Sequence, residues 1–400
     1  MIDSREEAAA LDAEDPLGAF RERFVIDPDV VYLDGNSLGC LPRATVGRLD
    51  RSVAQWGERG VRGWDEGWLD LPLEVGDRLG AAALGAAPGQ TAVGDSTTVC
   101  FYKLVCSALD ARPDRSEIVT DLDNFPTDRY VLEGVARARG LRLVWLDGDP
   151  ETVTSVIGPE TALVTFSHVS YRSARIADIA QVNSIVRDAG ALMLWDLSHS
   201  AGSVPLSLDG DDAELAVGCT YKYLNGGPGA PAYMYVRHGL QAELHQPIWG
   251  WLGRRDPFEM APGYESADGM RAFLSGTPPV LALAAVDEGV RLVAEAGIDR
   301  IRTKGIALTE LAISLADEYG IHVASPRDPA RRGAHVALAH PAARALCARL
   351  IERGVIPDFR RPDVIRFGFS PLTTRFVDVW DGVDALRELL VTAGWTRGSA

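Results

Sequence analysis

The stretch "TALVTFSHVSYRSARIADIAQVNSIVRDAGALMLWD" occupies residues 161–196 and contains the pattern that decides the fold. Its two ends, 161–167 and 191–196, are short apolar runs typical of buried strands, and 178–189 between them has helical spacing. Buried strands that alternate with helices are typical of a parallel sheet covered on both faces. The stretch therefore predicts a strand–helix–strand unit of an α/β fold.

The same alternation continues on both sides of this unit. Further strands are predicted at 116–121, 141–147 and 214–220, with a helix at 125–139. After a loop-like region, the chain shows helices at 280–297 and 300–319, strands at 335–340 and 364–370, and a terminal helix from about 377. We predict a large α/β domain with a mostly parallel central sheet over 45–280. A smaller α+β domain would be formed by 1–44 and 281–400.

Composition excludes several classes of function. The 400 residues carry a net charge of −16, which is unfavourable for binding nucleic acid or an anionic membrane surface. The five cysteines are odd in number and lack C-x-x-C spacing, so neither a disulfide framework nor a metal site is predicted. The N-terminus is acidic without a signal-type apolar core, and no run reaches the length of a membrane span. We expect a cytoplasmic protein.

Polar residues fall at the carboxyl ends of the predicted strands. Asp196 and Ser167 each end a strand, Lys222 follows the next one, and His199 lies one turn after Asp196. Ligands of parallel sheets bind outside these strand ends. The sequence "GDSTTVCFYKL" (94–104) also places hydroxyl side chains at the start of an apolar helix, where free backbone amides favour a phosphate group.

A phosphate site, a carboxylate and a lysine on neighbouring strand ends suit pyridoxal phosphate. The lysine amine can bond to the cofactor, and the carboxylate can keep the pyridine nitrogen protonated. Taken singly, Lys222 would be a solvated loop residue, Asp196 a helix cap and His199 a packed core residue. Their joint order favours the cofactor. A hydrolase triad in "WDLSHS" is disfavoured, because residues so close in sequence rarely converge in that geometry.

At these residues the chain resembles the kynureninase family, which belongs to the fold-type-I pyridoxal-phosphate enzymes of the class-V aminotransferase group. The resemblance runs over nearly the whole chain. It is carried by "YLDGNSLGCLP" (32–42), "NFPTDRY" (124–130), "WDLSHSAG" (195–202), "GCTYKYLNGGPG" (218–229), "GW" (250–251), "SGTPP" (275–279) and "IRFGFSPL" (365–372).

The resemblance implies a set of cofactor-binding residues. They are Thr97, Thr98, Phe125, Asp128, Ser167, Asp196, His199, Tyr221, Lys222, Trp251 and Thr277. Within this set, Lys222 would bear the cofactor, Asp196 would pair with the pyridine nitrogen, and Phe125 would lie against one ring face. Trp251 and Thr277 match positions that reach the phosphate from a partner subunit, which implies a homodimer with shared active sites.

Two further residues are implied for the substrate. In "DVIRFGFS" the alternation places Arg366 opposite an apolar strand face, so it should point to water or to an anion. The resemblance implies that Arg366 binds the substrate carboxylate, for which a planar guanidinium is suited. Trp64 would line the pocket for the aromatic amine, although it could equally be a core residue. Arg172 and Ala174 stand where bacterial members tend to have lysine and glycine, which would alter the substrate pocket.

The implied reaction is the hydrolysis of L-kynurenine to anthranilate and L-alanine, with 3-hydroxykynurenine as an alternative substrate. Lys222, Tyr221 and Asp196 would be the catalytic residues. Three alternative functions stay open: a cysteine desulfurase, a transaminase and a non-catalytic binding protein. A desulfurase needs a mobile nucleophilic cysteine, whereas Cys347 lies in a helical pattern. A binding protein would not need Lys222, Asp196, Tyr221 and Arg366 together.

Overall fold

A seven-stranded sheet forms the centre of the computed structural model, which describes residues 4–392. Residues 1–3 and 393–400, part of the predicted small domain, lie outside the described residues. The helices of the described part are α1 (Arg5–Glu14), α2 (Arg43–Arg59), α3 (Leu71–Leu79), α4 (Thr97–Asp110), α5 (Pro126–Arg139), α6 (Ile179–Asp188), α7 (Val280–Ala296), α8 (Ile298–Glu318), α9 (Ala343–Glu352) and α10 (Phe376–Thr392). Its strands are β1 (Phe24–Val25), β2 (Val31–Tyr32), β3 (Leu41–Pro42), β4 (Thr91–Gly94), β5 (Glu117–Asp121), β6 (Arg142–Leu146), β7 (Thr161–Ser167), β8 (Leu192–Asp196), β9 (Leu215–Gly218), β10 (Ala232–Val236), β11 (His322–Val323), β12 (His335–Ala339), β13 (Val355–Ile356), β14 (Asp358–Arg360) and β15 (Val364–Gly368).

The strand order of the large sheet is β4-β10-β9-β8-β7-β5-β6. Strands β5 to β9 are parallel, as predicted, and β7 matches the predicted run 161–167. Strand β10 is antiparallel to both β9 and β4, and the sequence analysis did not predict it. Residues 219–231 join β9 to β10 without a helix, so the chain returns beside β9 in the opposite direction.

The large sheet is covered on both faces. Along β8, Leu192 and Leu194 pack into one hydrophobic cluster, whereas Met193 and Trp195 pack into another. Because successive side chains of a strand point to opposite faces, the two clusters are the two covered faces of the sheet. Helices α4 and α5 contribute to the first cluster, and α6 and α7 to the second. This burial explains the continuous apolar strands in the sequence.

A second sheet has the order β11-β12-β15-β14 and is antiparallel throughout. It packs with α8, α9 and α10 around a third hydrophobic cluster, which also includes Ala8 of α1 and Leu33. Helix α7 packs instead into the core of the large sheet through Leu283 and Val286. The domain boundaries at 45 and 281 remain predictions.

Both faces of β15 are buried, which bears on the prediction that Arg366 points to water or to an anion. Ile365 and Phe367 are in the third cluster as expected, but Val364 and Arg366 on the opposite face are also buried. This face is covered because Tyr171, from the loop after β7, accepts a hydrogen bond from Arg366 through its carbonyl oxygen. Because Arg366 is buried, its side chain does not point to water. Of the two predicted partners, an anion remains.

Gly289 of α7 supports the loop that carries Lys222. A Cβ atom at this position would lie 2.0 Å from the carbonyl oxygen of Leu224. Alanine normally stabilises a helix relative to glycine by about 1 kcal/mol. Here we expect Gly289→Ala to lower the free energy of unfolding by about 1–3 kcal/mol, because the overpacked backbone must shift.

The matched control is Gly134 of α5, where an added Cβ would meet no atom within 4 Å. Gly134→Ala should raise the free energy of unfolding by about 0.5–1 kcal/mol. Urea denaturation of both variants tests the contrast. If Gly289→Ala also raises the free energy of unfolding, the close approach of Gly289 to the Lys222 loop has no energetic consequence.

Candidate active site

Lys222 lies on the loop that follows β9, at the carboxyl edge of the parallel strands. It is buried, with 8% of its surface exposed, and its Nζ lies 3.2 Å from Nε2 of His199. The same Nζ is 5.7 Å from the centre of the Phe125 ring. The loop turns tightly here, since Asn225 donates to the carbonyl oxygen of Lys222 and adopts a positive φ of 54°. The lysine amine is thus held beside an imidazole and an aromatic face.

A cavity of about 490 Å³ opens above this lysine. The predicted cofactor-binding residues that line it are Thr97, Thr98, Phe125, Asp128, Asp196, Tyr221, Lys222 and Thr277. The sequence analysis did not assign the other lining residues, which include Asp95, Thr127, Ser198 and the backbone-rich segment 229–231. The predicted residues in this lining come from five separate parts of the chain. Among those expected at strand ends, Asp196 and Lys222 line the cavity, whereas Ser167 does not.

One end of the cavity is formed by the start of α4. Ser96 caps this helix, and its Oγ accepts a hydrogen bond from the backbone N–H of Val99 at 3.4 Å. The first backbone amides of a helix lack intrahelical acceptors and carry a partial positive charge. With the hydroxyls of Thr97 and Thr98 beside them, they form a site suited to a phosphate group.

Two carboxyl groups also line the cavity. Asp196 ends β8, and its Oδ1 accepts from the backbone N–H of Ser198 at 2.8 Å. Asp128 lies in the first turn of α5, where burial and then the negative charge of Asp196 raise its pKa well above the usual range. The raised pKa of Asp128 disfavours a second negative charge beside Asp196. A carboxylate at this position suits a cationic ring nitrogen.

His199 lies behind Lys222 and does not line the cavity. Burial, and then the charge of Lys222, lower the pKa of His199 well below the usual range, so the imidazole is neutral. Its ring lies 5.8 Å from that of His335, a buried residue at the start of β12. The sequence analysis missed His335, because a single histidine before an apolar strand gives no signal of its position in space.

Besides His199, four predicted residues lie outside the cavity lining. Ser167 ends β7, and its Oγ donates to Oδ1 of Asn124 at 2.8 Å. Trp64 and Trp251 contact each other edge to face, with ring centres 6.1 Å apart. Arg366 is fully buried in the small sheet. The roles predicted for these side chains in binding cofactor or substrate remain predictions.

Arg366 is already paired with a carboxylate of its own chain. Its Nε and Nη2 donate to the two carboxylate oxygens of Asp358, at 2.8 and 2.5 Å. Arg360 shares this partner at 2.6 Å. Burial raises the pKa of Asp358, but hydrogen bonding and charge from Arg366, and the charge of Arg360, lower it further, to a net value below the usual range. The sequence analysis missed Asp358 because nothing in "PDFRRPD" indicates which arginine it meets.

His168 is a buried histidine whose titration should affect the stability of the fold around the site. It follows β7, and its Nδ1 lies 2.8 Å from Oγ of Ser200. Burial lowers the pKa of His168 to about 4, whereas an unfolded histidine titrates near 6.5. The unfolded chain therefore binds a proton between these values that the folded chain does not, and stability falls as the pH decreases from about 6.5 to 4.

We expect His168→Gln to remove about 1.4 kcal/mol per pH unit from the pH dependence of unfolding over this window. Thermal unfolding of both proteins from pH 4 to 7 measures the difference. Comparison with the variant is required because two buried carboxyl groups titrate in the same range. Burial raises the pKa of Asp34 to about 6 and that of Asp121 to about 7, and these shifts make stability rise, not fall, as the pH decreases. Parallel pH profiles for the two proteins would show that His168 is charged in the folded state.

Comparison with known proteins identifies the family. Residues 301–386 match the family model for the kynureninase C-terminal domain. A kynureninase of Burkholderia pseudomallei (strain 1106a) is 44% identical over 406 residues, which cover 98% of this chain and 97% of the relative. A kynureninase of Pseudomonas fluorescens is 40% identical, with the same coverage of both chains. The chain belongs to the kynureninase family.

Solved structures confirm the fold class. An apo cysteine desulfurase from Thermococcus onnurineus NA1 has a TM-score of 0.82 at 19% identity, covering 94% of this chain and 98% of that one. A C-DES variant with glycine covalently linked to its PLP cofactor has a TM-score of 0.83 at 18% identity, covering 92% and 99%. At these identities the likeness concerns the fold alone, and it places this kynureninase family member among the fold-type-I enzymes.

The predicted burial of Cys347 is confirmed, which separates this family member from a desulfurase mechanism at that residue. Cys347 lies on α9 with 5% of its surface exposed, and burial raises its pKa to about 11. A thiol that stays protonated on a packed helix cannot act as a mobile nucleophile. All five cysteines lie within residues 4–392 and are unpaired.

The residues of the cavity fit pyridoxal phosphate. The start of α4 offers donors to a phosphate, and Phe125 offers an aromatic face near the lysine amine. Oδ2 of Asp128 is buried without a hydrogen-bond partner among the described residues, so the acid pair can still interact with a bound group. The cavity thus contains an aromatic face, a lysine amine and two carboxyl groups, which are the kinds of group that can hold this cofactor.

Proposed function

We propose that this chain is a kynureninase that hydrolyses L-kynurenine to anthranilate and L-alanine with pyridoxal phosphate bound at Lys222. The observation that carries the proposal is the convergence of Lys222, the Asp196–Asp128 pair and the start of α4 in one cavity. Family membership at 40–44% identity over nearly the full length supports it. Activity towards 3-hydroxykynurenine belongs to the same proposal.

The cofactor would be held at three points. When bound, pyridoxal phosphate supplies an aldehyde that bonds to amines and a ring that accepts electrons from the reacting carbon. Thr97, Thr98 and the first amides of α4 would bind its phosphate. Asp196 would accept a hydrogen bond from its ring nitrogen, while Asp128 keeps its proton and limits the local negative charge.

Lys222 would take the proton from the α-carbon of the substrate. Its Nζ lies at hydrogen-bond distance from Nε2 of His199, whose neutral imidazole can accept a hydrogen bond from this amine and hold it in position. A lysine held in a fixed position at the carboxyl edge of the sheet is suited to this general-base role.

Tyr221 would donate the proton that the alanine product requires. The reaction consumes one water: its oxygen joins the carbonyl carbon that becomes the anthranilate carboxylate, and the β-carbon released in the cleavage takes up a proton. Tyr221 lines the cavity, and burial raises the pKa of its hydroxyl above the usual range. The hydroxyl therefore carries its proton and is a donor in this state.

The substrate would extend from the lysine towards the small sheet. We assign its carboxylate to Arg366, in a cluster where two arginines share the one carboxylate of Asp358. Tyr171 closes this region, with its ring 5.4 Å from that of Phe125. The aromatic amine would lie towards Trp64, which packs with Trp68 and Trp251.

A homodimer is part of the proposal. Trp249 and Phe258 flank Trp251 and are 65% and 52% exposed, which is unusual for large apolar side chains. Thr277 lines the cavity of its own chain, so it would lie near the boundary between two sites.

We also propose the division into domains at residues 45 and 281 and a cytoplasmic location. Within residues 4–392, no helix is long and apolar enough to cross a membrane.

The test is a product analysis of the purified protein loaded with pyridoxal phosphate. Incubation with L-kynurenine should produce anthranilate fluorescence and an equal amount of L-alanine. Parallel incubations with L-cysteine and with an amino acid plus a keto acid test the desulfurase and transaminase alternatives. Sulfide release or a new amino acid without anthranilate would contradict the proposal.

A further inference from the structure

Lys103 is a buried charge that the proposed chemistry does not use. It lies in the middle of α4 with no exposed surface, among apolar residues of the core. Its Nζ donates to Oδ2 of Asp95 at 2.6 Å and to the carbonyl oxygen of Phe273 at 3.0 Å. Burying an ammonium group is costly, and an apolar side chain of similar size often gives equal or greater stability. Stability alone therefore does not account for a lysine at this position.

The two partners of Lys103 belong to two chain segments that contribute to the cofactor cavity. Asp95 lines the cavity and directly precedes the start of α4. Phe273 ends the turn Gly269–Phe273, and the chain that follows it reaches Thr277, which also lines the cavity. One ammonium group thus connects the two segments.

The negative charge of Asp95 would repel a bound phosphate if it were not paired with Lys103. Its side chain is 33% exposed and borders the cavity beside Thr97 and Thr98. An unpaired carboxylate there would repel a phosphate dianion, and the repulsion would be strong in partly buried surroundings. Paired with Lys103, Asp95 contributes almost no net charge. Asp95 also adopts a positive φ of 52°, which indicates that this turn is held in place by its surroundings.

We propose that Lys103 is a positioning residue for the phosphate end of the cofactor site. It joins the turn before α4 to the segment that carries Thr277 and offsets the charge of Asp95, without touching the phosphate itself. The inference rests on the binding of pyridoxal phosphate and not on the hydrolysis of kynurenine. Its test therefore uses no kynurenine, so its failure is distinguishable from failure of the proposed function.

The experiment compares Lys103→Met with Lys304→Met. Lys304 is a matched control, because it is also buried and pairs with Asp15 at 2.6 Å, on α8 of the small-sheet layer. Each apoprotein is titrated with pyridoxal 5'-phosphate and with pyridoxal, which lacks the phosphate. Equilibrium dialysis gives the dissociation constants, and ³¹P NMR reports the surroundings of the bound phosphate.

Lys103→Met is expected to weaken pyridoxal 5'-phosphate binding at least tenfold, leave pyridoxal binding within threefold, and shift the ³¹P resonance. Lys304→Met should lower the melting temperature without any of these changes. Unchanged phosphate-dependent binding in Lys103→Met would overturn the proposal. An equal loss for pyridoxal would do the same, because it would indicate general damage to the site.

Asp95→Asn keeps the proposal testable if Lys103→Met does not fold. Asparagine adopts positive φ readily, and its side-chain oxygen can still accept from Lys103, so the turn and the connection between the two segments are preserved. Because the variant removes the carboxylate and keeps the ammonium group, pyridoxal 5'-phosphate should bind at least as tightly as in the wild type. A loss of affinity greater than threefold would contradict the assigned role of Lys103 in offsetting the charge of Asp95.

Discussion

Replacement of Lys222 by alanine is expected to reduce the rate of kynurenine hydrolysis by at least about 10⁴-fold. A positioned proton-transfer group typically contributes about 10²–10⁴-fold, and this lysine would also supply the covalent attachment of the cofactor. Both contributions depend on the same Nζ, which the structure holds between His199 and the Phe125 ring. Within residues 4–392 the other lysines have partners of their own, because Lys103 is engaged by Asp95 and Phe273 and Lys304 by Asp15.

The control for this prediction is retention of the cofactor. Lys222→Ala leaves the start of α4 and the acid pair intact, so the variant should still bind pyridoxal phosphate, although without a covalent bond. Borohydride treatment followed by peptide mass analysis should add the cofactor mass to the peptide containing Lys222 in the wild type and to no peptide in the variant. A variant that retains more than about a tenth of the wild-type rate would remove Lys222 from the mechanism.

The residues at the strand ends could be placed from the sequence because the fold brings them together by a simple rule. Asp196 and Lys222 follow adjacent parallel strands, β8 and β9, so their side chains had to meet at the carboxyl edge. The same rule placed Ser167 at the end of β7. The rule could not show that the Ser167 hydroxyl donates a hydrogen bond to Asn124 and does not line the cavity. Whether a side chain faces a cavity depends on its neighbours in space, which strand order alone does not provide.

The partners of the buried charges could not be predicted for a related reason. Asp358 meets Arg366 across an antiparallel pair of short strands, β14 and β15, whose register the sequence leaves open. Lys103 gave a weak signal, since it is the only charged residue in α4 before Asp110. Its contact with Phe273 spans more than half of the large domain in sequence and has no local signature. Long-range pairing of this kind is set by tertiary packing.

Arg366→Met is expected to raise the KM for kynurenine about 100-fold while reducing the stability of the fold only moderately. Charge-assisted hydrogen bonds from a guanidinium to a carboxylate contribute about 1.5–3 kcal/mol, and roughly 2.7 kcal/mol corresponds to this factor. The stability loss is limited because Asp358 keeps a second cation, Arg360, at 2.6 Å. Steady-state kinetics together with urea denaturation measure the two effects separately.

Asp358→Asn should show the opposite pattern. Removing the carboxylate leaves Arg366, which has no exposed surface, and the half-buried Arg360 without the carboxylate that accepts their hydrogen bonds. Loss of one partner of a buried ion pair typically costs about 3–5 kcal/mol, so the free energy of unfolding should fall by this amount. The KM should not rise, because the excess positive charge favours the substrate carboxylate. If instead both variants lose stability equally and neither changes the KM, the pair is structural, and the substrate carboxylate must be bound by another cation.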